Sequence, residues 1–248
     1  MSEHDNSRTK SALALSIPAA ILAIALALGL NQVGSGFASR QDSGISVTGS
    51  ARVNATADKA VWTLNVNGTS PALATAVKSV NGDMDQLVAY LKEGGFAADE
   101  IQLGALSTYA NEEFVNGNST GRILSYRADR PVTVRTKEVD LVSKMSNGIG
   151  ALLERGVQVS NYGPNYYISS LKELRPELLK EAMLDAQTRA KAIVESTGGT
   201  VGAVVAVRSG PFQVTSPDSV DISAGGFYDT STIEKTVTAT VTVSFKTK

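Results

Sequence analysis

The chain has 248 residues, with 23 lysines and arginines against 24 aspartates and glutamates, which leaves a formal net charge of −1. This balance excludes a strongly basic nucleic-acid binder whose affinity comes from counterion release. Because the sequence holds no cysteine and a single histidine, His4, it also excludes disulfide scaffolds, thiol catalysis, cysteine-ligated zinc, histidine metal sites and Ser-His-Asp triads.

An uncharged run dominates the N-terminal part of the chain. Residues 1–10 are polar, and the twenty residues from Ser11 to Leu30 carry no charge. Twenty helical residues rise about 30 Å, which is the thickness of a bilayer's hydrocarbon core. We therefore expect a cytoplasmic tail at 1–10, a transmembrane signal anchor over 11–35 and a linker at 36–44. The alternative is a cleaved signal peptide with its small-residue site near 36–39, and both interpretations export the remaining chain.

Flanking charges indicate the orientation of this predicted span, and small residues within it indicate a possible contact face. Arg8 and Lys10 precede it and Arg40 follows it, so the positive-inside rule favours a cytoplasmic N-terminus. One face of the predicted helix carries a small residue every four positions, which permits close helix–helix contact in a membrane. The residues of this face, our candidates for helix–helix contact, are Ala19, Ala23 and Ala27. The alternative is that alanine is simply common in such segments.

The exported part begins with two alternating segments. Residues 45–53 and 60–67 alternate apolar and polar side chains with period two, as half-buried strands do. The short polar connection 54–58 predicts that they pair as an antiparallel hairpin. From Pro71 the apolar period becomes helical, and this helix is expected to end at Gly94-Gly95.

Two further strands are predicted at 101–107 and 121–136. They flank a polar loop at 111–121, in which Gly117-Asn118 is a plausible turn, so their arms could form an extended hairpin. Because Pro131 cannot donate a hydrogen bond to a ladder, its strand is expected to be at a sheet edge or bulged there.

Two more helices follow along the chain. Apolar residues at helical spacing predict one over 139–152, which closes near Gly156, and extended structure resumes at 157–168. The third and clearest helix starts at Pro176, which fits the first helical turn, and ends at Gly198-Gly199.

Two strands complete the chain and define the expected fold class. The segments 201–207 and 237–245 are apolar or strictly alternating, and they are separated by a polar loop at 209–233. The order of elements predicts an α+β fold, with mostly antiparallel sheets built from repeated ββα units and helices packed on one face.

The sequence offers little catalytic or ligand chemistry. No G-x-S-x-G, S-x-x-K or H-E-x-x-H motif occurs. The available carboxylate pairs are Asp83/Asp85, Asp99/Glu100 and Glu112/Glu113. The first pair points to different sides of a predicted helix, and the other two fall in solvated loops. We therefore expect no enzymatic activity, no catalytic residues, no cofactor and no metal site.

One aromatic cluster stands out from this background. It consists of Tyr162, Tyr166 and Tyr167, close to Asn161, Gly163 and Pro164. Tyrosine is favoured at interfaces because it combines a large rigid area with a polar tip. These tyrosines are our interface candidates, and the alternative is a core strand whose tyrosines cap the helix layer.

Several local strings, in this order and spacing, resemble the SIMPL-domain family across residues 45–247. The opening strands and the passage from the first helix through a glycine and acidic residues to Ile-Gln are similar to that family, as is the alanine spacing of the third helix. The strings are Ile45–Gly49, Asp58–Val66, Leu91–Phe96, Asp99–Leu103, Tyr126–Ala128, Val132–Val134, Ala182, Ala186, Ala190 and Gly198–Gly202.

This resemblance implies a location and a role. The family comprises bacterial periplasmic or outer-membrane proteins, including immunogenic surface antigens, without established catalytic residues. Some members are linked to oxidative-stress tolerance, and some are similar to self-assembling rings or channels. We therefore expect residues 45–248 to form a periplasmic SIMPL domain, anchored in the bacterial inner membrane through 11–30.

The expected partner is the chain itself. Unpaired strand edges invite strand addition, and the long hairpin at 101–136 would be the arm of a ring-like or cage-like homo-oligomer with a structural role at the cell envelope. The alternative is a soluble periplasmic module, stress-protective or ligand-binding, that is released after signal cleavage.

Overall fold

The computed structural model describes residues 44–219, 223 and 225–248. The predicted anchor at 11–35 and its alanine face lie outside the described residues. No helix among the described residues is long and apolar enough to cross a membrane. Two compact units divide these residues: a smaller unit of 44–47, 187–207 and 243–248, and a larger unit of 48–186 and 208–242.

Ten strands and four helices form the described part of the chain. The strands are β1 (Gly44–Thr56), β2 (Lys59–Ser70), β3 (Ile101–Leu103), β4 (Ser107–Val115), β5 (Asn118–Thr136), β6 (Val159–Tyr167), β7 (Val201–Ser209), β8 (Gln213–Thr215), β9 (Phe227–Tyr228) and β10 (Glu234–Thr247). The helices are α1 (Leu73–Glu93), α2 (Val139–Asn147), α3 (Gly150–Glu154) and α4 (Leu171–Ser196). The predicted α+β class with largely antiparallel sheets is confirmed, and the segment between β7 and β10 contains two short strands.

The strands form two five-stranded sheets. One has the order β3-β5-β2-β6, with β4 also paired to β5, and all its pairings are antiparallel. The other has the order β1-β10-β8-β9, with β7 also paired to β10. Its β8–β9 pairing is parallel. The second ββα unit of the prediction has three strands, β3 to β5, instead of two.

The predicted hairpin of β1 with β2 is wrong, because the two strands belong to different sheets. The connection between them explains the change of sheet. The amide of Ala57 donates to the carbonyl of Ile233, just before β10, at 2.9 Å. The next amide, of Asp58, donates to the carbonyl of Tyr167 in β6 at 3.0 Å. Consecutive residues are therefore tied to opposite sheets, which a two-strand hairpin does not allow.

The core of the larger unit lies between α1 and the sheet that contains β2. The predicted apolar stripe of this helix is confirmed. The helix begins two residues after Pro71 and ends at the residue before Gly94, close to both predicted limits. The inward positions of β2 and β5 meet it with fully buried side chains. These core residues are Trp62, Leu64, Val66, Ala76, Val80, Met84, Leu87, Leu91, Val132 and Val134.

The predicted second helix is divided into α2 and α3. In a continuous helix the carbonyl of Met145 would accept a hydrogen bond from the amide of Ile149. Here the hydroxyl of Tyr90, from α1, donates to that carbonyl at 2.9 Å. Burial of this phenol also raises the pKa of Tyr90. A tertiary contact thus ends α2 one turn before the apolar pattern does.

The third helix begins five residues earlier than predicted. The amides of Glu173 and Leu174 donate to the carbonyl of Ser170, which starts α4 ahead of Pro176. Pro176 has no N–H to donate to the carbonyl of Lys172, but Lys172 is exposed, so water can satisfy that carbonyl. The proline is tolerated because this first part of the helix faces solvent.

Candidate functional site

The structure separates the three candidate tyrosines. Tyr162 is 90% exposed, whereas Tyr166 is buried with 5% exposure. Tyr167 is half-buried, and its ring lies 6.0 Å from that of Tyr228. Tyr162 is therefore the member of this cluster whose ring is open to a partner or ligand.

A β-bulge holds Tyr162 at the surface. The register between β2 and β6 shifts between Trp62 and Leu64, opposite residues 161–164. Gly163 adopts φ +84°, in the left-handed region that favours glycine. Bulges next to functional sites commonly re-aim a side chain, and this one directs the ring of Tyr162 into solvent.

Hydrogen bonds of Asn161 lock this bulge. Its Oδ1 accepts from the indole Nε1–H of the fully buried Trp62 at 2.9 Å and from the amide of Gly163 at 2.9 Å. Its Nδ2 donates to the carbonyl of Ser146, at the end of α2, at 3.2 Å. One amide side chain thus connects β2, the bulge and α2. Nothing in its sequence surroundings except the adjacent Gly-Pro indicates this role.

A polar groove runs beside Tyr162. Its volume is about 600 Å³, and it lies between the bulge, the C-terminal part of α2 and the segment before β10. The lining is dominated by hydroxyl and amide groups, with one carboxylate. The residues that line it are Ser143, Ser146, Asn147, Tyr162, Gly163, Pro164, Tyr166, Ser231, Thr232, Ile233 and Glu234.

The hairpin of β4 and β5 is a second exposed feature. The expected polar loop at 111–121 is wrong, because both strands continue through it and pair up to Val115 and Asn118. The turn is Asn116-Gly117, with φ values of 49° and 82°, one residue before the predicted position. Positive φ at both central residues is typical of a type I′ turn, whose twist matches that of the two strands. The predicted extended hairpin is thereby confirmed.

Large apolar side chains cover the outer part of this hairpin and are exposed. They are Phe114, Val115, Ile123 and Leu124, and Tyr109 is exposed nearer the base of the hairpin. Cross-strand polar contacts order the same segment, among them an ion pair of Arg122 with Glu113 at 2.8 Å and a hydrogen bond from Ser119 to Glu112 at 2.6 Å. The carboxylates of the Glu112/Glu113 pair thus serve the hairpin itself.

At the base of the hairpin, Arg127 and Asp129 form a bidentate pair. The guanidinium Nη2 donates to Asp129 Oδ1 at 2.9 Å, and Nε donates to Asp129 Oδ2 at 3.1 Å. The hydrogen bonds to Asp129, and the negative charge of that carboxylate, raise the pKa of Arg127 above its ordinary value. Tyr109 of β4 lies opposite Arg127 in the register of the hairpin.

One member of each remaining carboxylate pair accepts a hydrogen bond from the backbone. Asp83 accepts from the amide of Gln158 at 3.2 Å, and Glu100 accepts from the amide of Ala97 at 3.0 Å. No three histidine or carboxylate side chains come together as a metal site among the described residues. The helix-contact candidates Ala19, Ala23 and Ala27 lie outside those residues.

The structure contains a buried lysine whose burial the sequence patterns did not predict. Lys235 is fully buried at the start of β10, where alternation alone would favour an apolar residue. Its Nζ donates to the carbonyl of Asp229 at 2.6 Å and lies 6.0 Å from the centre of the Tyr228 ring. Burial lowers the pKa of Lys235, and the carboxylate of Asp229 opposes part of that shift.

Comparison with known proteins identifies the family. The family described as SIMPL, a protein of unknown function (DUF541), matches residues 45–245. The chain belongs to the SIMPL family. This confirms the resemblance drawn from the sequence, and the match covers both units of the described structure.

Relatives within the SIMPL family include bacterial proteins. The chain is 25% identical over 167 residues to the uncharacterized protein YggE of Edwardsiella ictaluri, covering 66% of each chain. It is 24% identical over 173 residues to the 26 kDa periplasmic immunogenic protein of Brucella melitensis, covering 67% of this chain and 66% of the relative. The chain thus matches slightly less than two thirds of the length of these relatives.

Solved structures are more distant. A hydantoinase/carbamoylase family amidase from Burkholderia ambifaria aligns with a TM-score of 0.25 and 13% identity, over 51% of this chain and 34% of the amidase. No activity follows from a likeness at that level. The expectation that the protein is not an enzyme stays a prediction.

Proposed function

We propose that this SIMPL-family protein is a structural component of the bacterial cell envelope that assembles with copies of itself through the β4–β5 hairpin. The observation that carries the proposal is the exposure of Phe114, Val115 and Ile123 on the outer part of the hairpin. Contiguous exposed apolar patches are typical of protein interfaces. An extracytoplasmic location is supported by the periplasmic relative from Brucella.

The pairing of the hairpin supports the same conclusion. Among the described residues, β4 pairs with β5 alone, and β5 pairs with β2 only as far as Tyr126. Beyond that residue the hairpin is a two-stranded ribbon with open edges on both sides. Such a ribbon is marginally stable alone in water, and burial against a second copy would stabilise it. Its open edges also allow strand addition.

We further propose that the uncharged segment 11–30 anchors the protein in the inner membrane. An anchor would hold the copies in the inner membrane and raise their local concentration, so that weak contacts between hairpins suffice for assembly. A ring-like or cage-like homo-oligomer would follow if the contact is head-to-tail and its rotation closes. Mass spectrometry of the native N-terminus tests the anchor: a chain starting at Met1 or Ser2 supports it, and a start near residues 38–41 contradicts it.

The oligomer is tested by light scattering and electron microscopy of the full chain purified in mild detergent. We expect a multimer, and we expect the double variant Phe114→Ser/Ile123→Ser to have the mass of a single chain. Leu153→Ser, which changes another exposed apolar residue of the larger unit, is the matched control and should leave the multimer intact. A monomeric unmodified protein would overturn the proposal.

One observation favours the alternative role of a ligand-binding module. The groove beside Tyr162 is large enough for a small ligand and is lined by groups that can fix its orientation. Ligand binding and self-assembly use different surfaces, so each can be tested without the other.

A further inference from the structure

The bulge and the groove together form a pre-organised surface. The ring of Tyr162 is 90% exposed, yet its backbone is held by the hydrogen bonds of Asn161 to Trp62, Gly163 and Ser146. Backbone that is already held in place does not have to be ordered when a ligand stacks on the ring that it carries. Exposure of a large ring has no benefit for folding, so its position beside a groove points to recognition.

The chemistry of the groove restricts the class of ligand. The hydroxyls of Ser231 and Thr232 donate to Asp229 Oδ1 and to the Glu234 carbonyl, so toward a ligand they can accept. The hydroxyl of Ser143 and the amide of Asn147 can both donate and accept. Neither lysine nor arginine is among the described residues that line the groove, and Glu234 contributes a carboxylate. Anionic ligands are therefore disfavoured.

We infer that this groove binds a neutral oligosaccharide. The C–H groups on one face of a pyranose ring carry partial positive charge and stack on the negative face of an aromatic ring, here that of Tyr162. The sugar hydroxyls, which donate and accept in turn, match the hydroxyl and amide groups of the wall. The open groove, with a volume of about 600 Å³, lies in the size range of ordinary small-molecule sites.

An extended peptide fits the same place less well. Strand addition to β6 would use the backbone groups on the edge away from β2. On that edge the amide of Tyr166 already donates to the carbonyl of Thr230 at 2.7 Å, and Pro164 has no amide hydrogen. The donors that a peptide strand requires are therefore occupied or missing.

Isothermal titration calorimetry of the full chain in detergent tests this inference. The probes are the trisaccharides of β-1,4-linked N-acetylglucosamine and β-1,4-linked glucose, with a trigalacturonate as an anionic comparison. We expect saturable binding of at least one neutral trisaccharide and weaker binding of the anionic one. Tyr162→Ala should weaken binding roughly tenfold, which corresponds to the loss of one aromatic stacking contact. Tyr162→Phe, which keeps the ring, should bind within about twofold of the unmodified protein.

A matched control separates stacking on Tyr162 from a general loss of exposed apolar surface. Leu153→Ala removes an exposed apolar side chain outside both the groove and the hairpin, and should leave saccharide binding unchanged. Failure of both neutral trisaccharides to bind at millimolar concentration overturns the inference, as does equal binding by Tyr162→Ala. Binding of an extended peptide to the groove without saccharide binding would also overturn it. None of these results depends on whether the hairpin mediates assembly.

Discussion

Gly49 in β1 lies directly against the backbone of Ala182 in α4. A Cβ atom at position 49 would be 2.2 Å from the carbonyl oxygen of Ala182 and 2.3 Å from the amide nitrogen of Ala186. The next residue, Ser50, donates its amide hydrogen to Asp185 Oδ2 at 2.8 Å. Both alanines are fully buried, so the helix approaches the strand at the closest distance that side chains permit.

This close approach makes Gly49 sensitive to a single methyl group. Gly49→Ala should lower the free energy of unfolding by about 1–3 kcal/mol or more, because the contacting atoms belong to backbone and cannot move away separately. Urea unfolding measures this change. Gly82→Ala is the control: it lies on α1 with nothing within 4 Å of the added Cβ, and should raise stability by about 0.5–1 kcal/mol. Equal effects of the two variants would contradict the contact.

The hydrogen bond from Trp62 to Asn161 gives a second prediction. Asn161→Ala leaves the indole N–H of a fully buried tryptophan without its acceptor, which should cost about 1–3 kcal/mol of unfolding free energy. Trp62→Phe removes the donor itself, so the effects of the two changes should not add in the double variant. Additive effects in chemical unfolding would mean that the two groups do not interact.

Asp58 should contribute a pH-dependent part of the stability. Burial alone would raise the pKa of Asp58, but hydrogen bonds from the hydroxyl and amide of Ser169 outweigh it and lower the pKa below 3.8. The stabilisation is fully present above pH 3.8 and is lost as the pH falls through the lowered value. Asp58→Asn should therefore be less stable than the unmodified protein at neutral pH, and this difference should shrink in acid.

Ser169→Ala provides the control for Asp58. It removes the hydroxyl donor, so NMR titration of the Asp58 carboxyl group should show its pKa rising relative to the unmodified protein. An Asp58 pKa at or above 3.8 in the unmodified protein would contradict the assigned cause.

Lys235 has the opposite dependence on pH. Because burial lowers its pKa below 10.5, the folded state releases the ammonium proton at a lower pH than the unfolded chain does. Its contribution to stability therefore rises with pH between the lowered pKa and 10.5. Over this pH interval, the unfolding free energy of the unmodified protein should therefore rise relative to that of Lys235→Met.

Measurements at several alkaline pH values test this prediction. Lys78→Met removes an exposed lysine of α1 and corrects for the general effect of losing one positive charge. A difference for Lys235→Met that stays constant with pH, after this correction, would show that the ammonium is hydrated in the folded protein.

The candidate site was only partly predictable. Tyrosine clustering at 162–167 identified the right segment, but burial divides its members, since Tyr162 is exposed and Tyr166 is in the core. The role of Asn161 depends on Trp62, which lies ninety-nine residues away in the sequence. A local sequence pattern cannot predict a hydrogen-bond partner at that separation. The bulge that Asn161 stabilises could therefore be recognised only in the structure.

The family and most of the longer strands and helices could be predicted from the sequence alone. Period-two alternation identified β1, β2 and β10, and helical spacing identified α1 and α4, because each pattern reflects how one element hides its own apolar face. The spacing of Ala182, Ala186 and Ala190 was visible in the same way.

Which strands pair with each other could not be predicted from the sequence patterns and is seen in the tertiary structure. The change of sheet at Ala57 and Asp58, the end of α2 at the Tyr90 hydroxyl and the contact of Gly49 with Ala182 all involve residues distant in sequence. Strand pairing and helix ends are settled by which backbone groups find partners across the core, and alternation is equally compatible with several such pairings. The same reason explains the hairpin, which is ordered by cross-strand contacts although its apolar side chains face solvent.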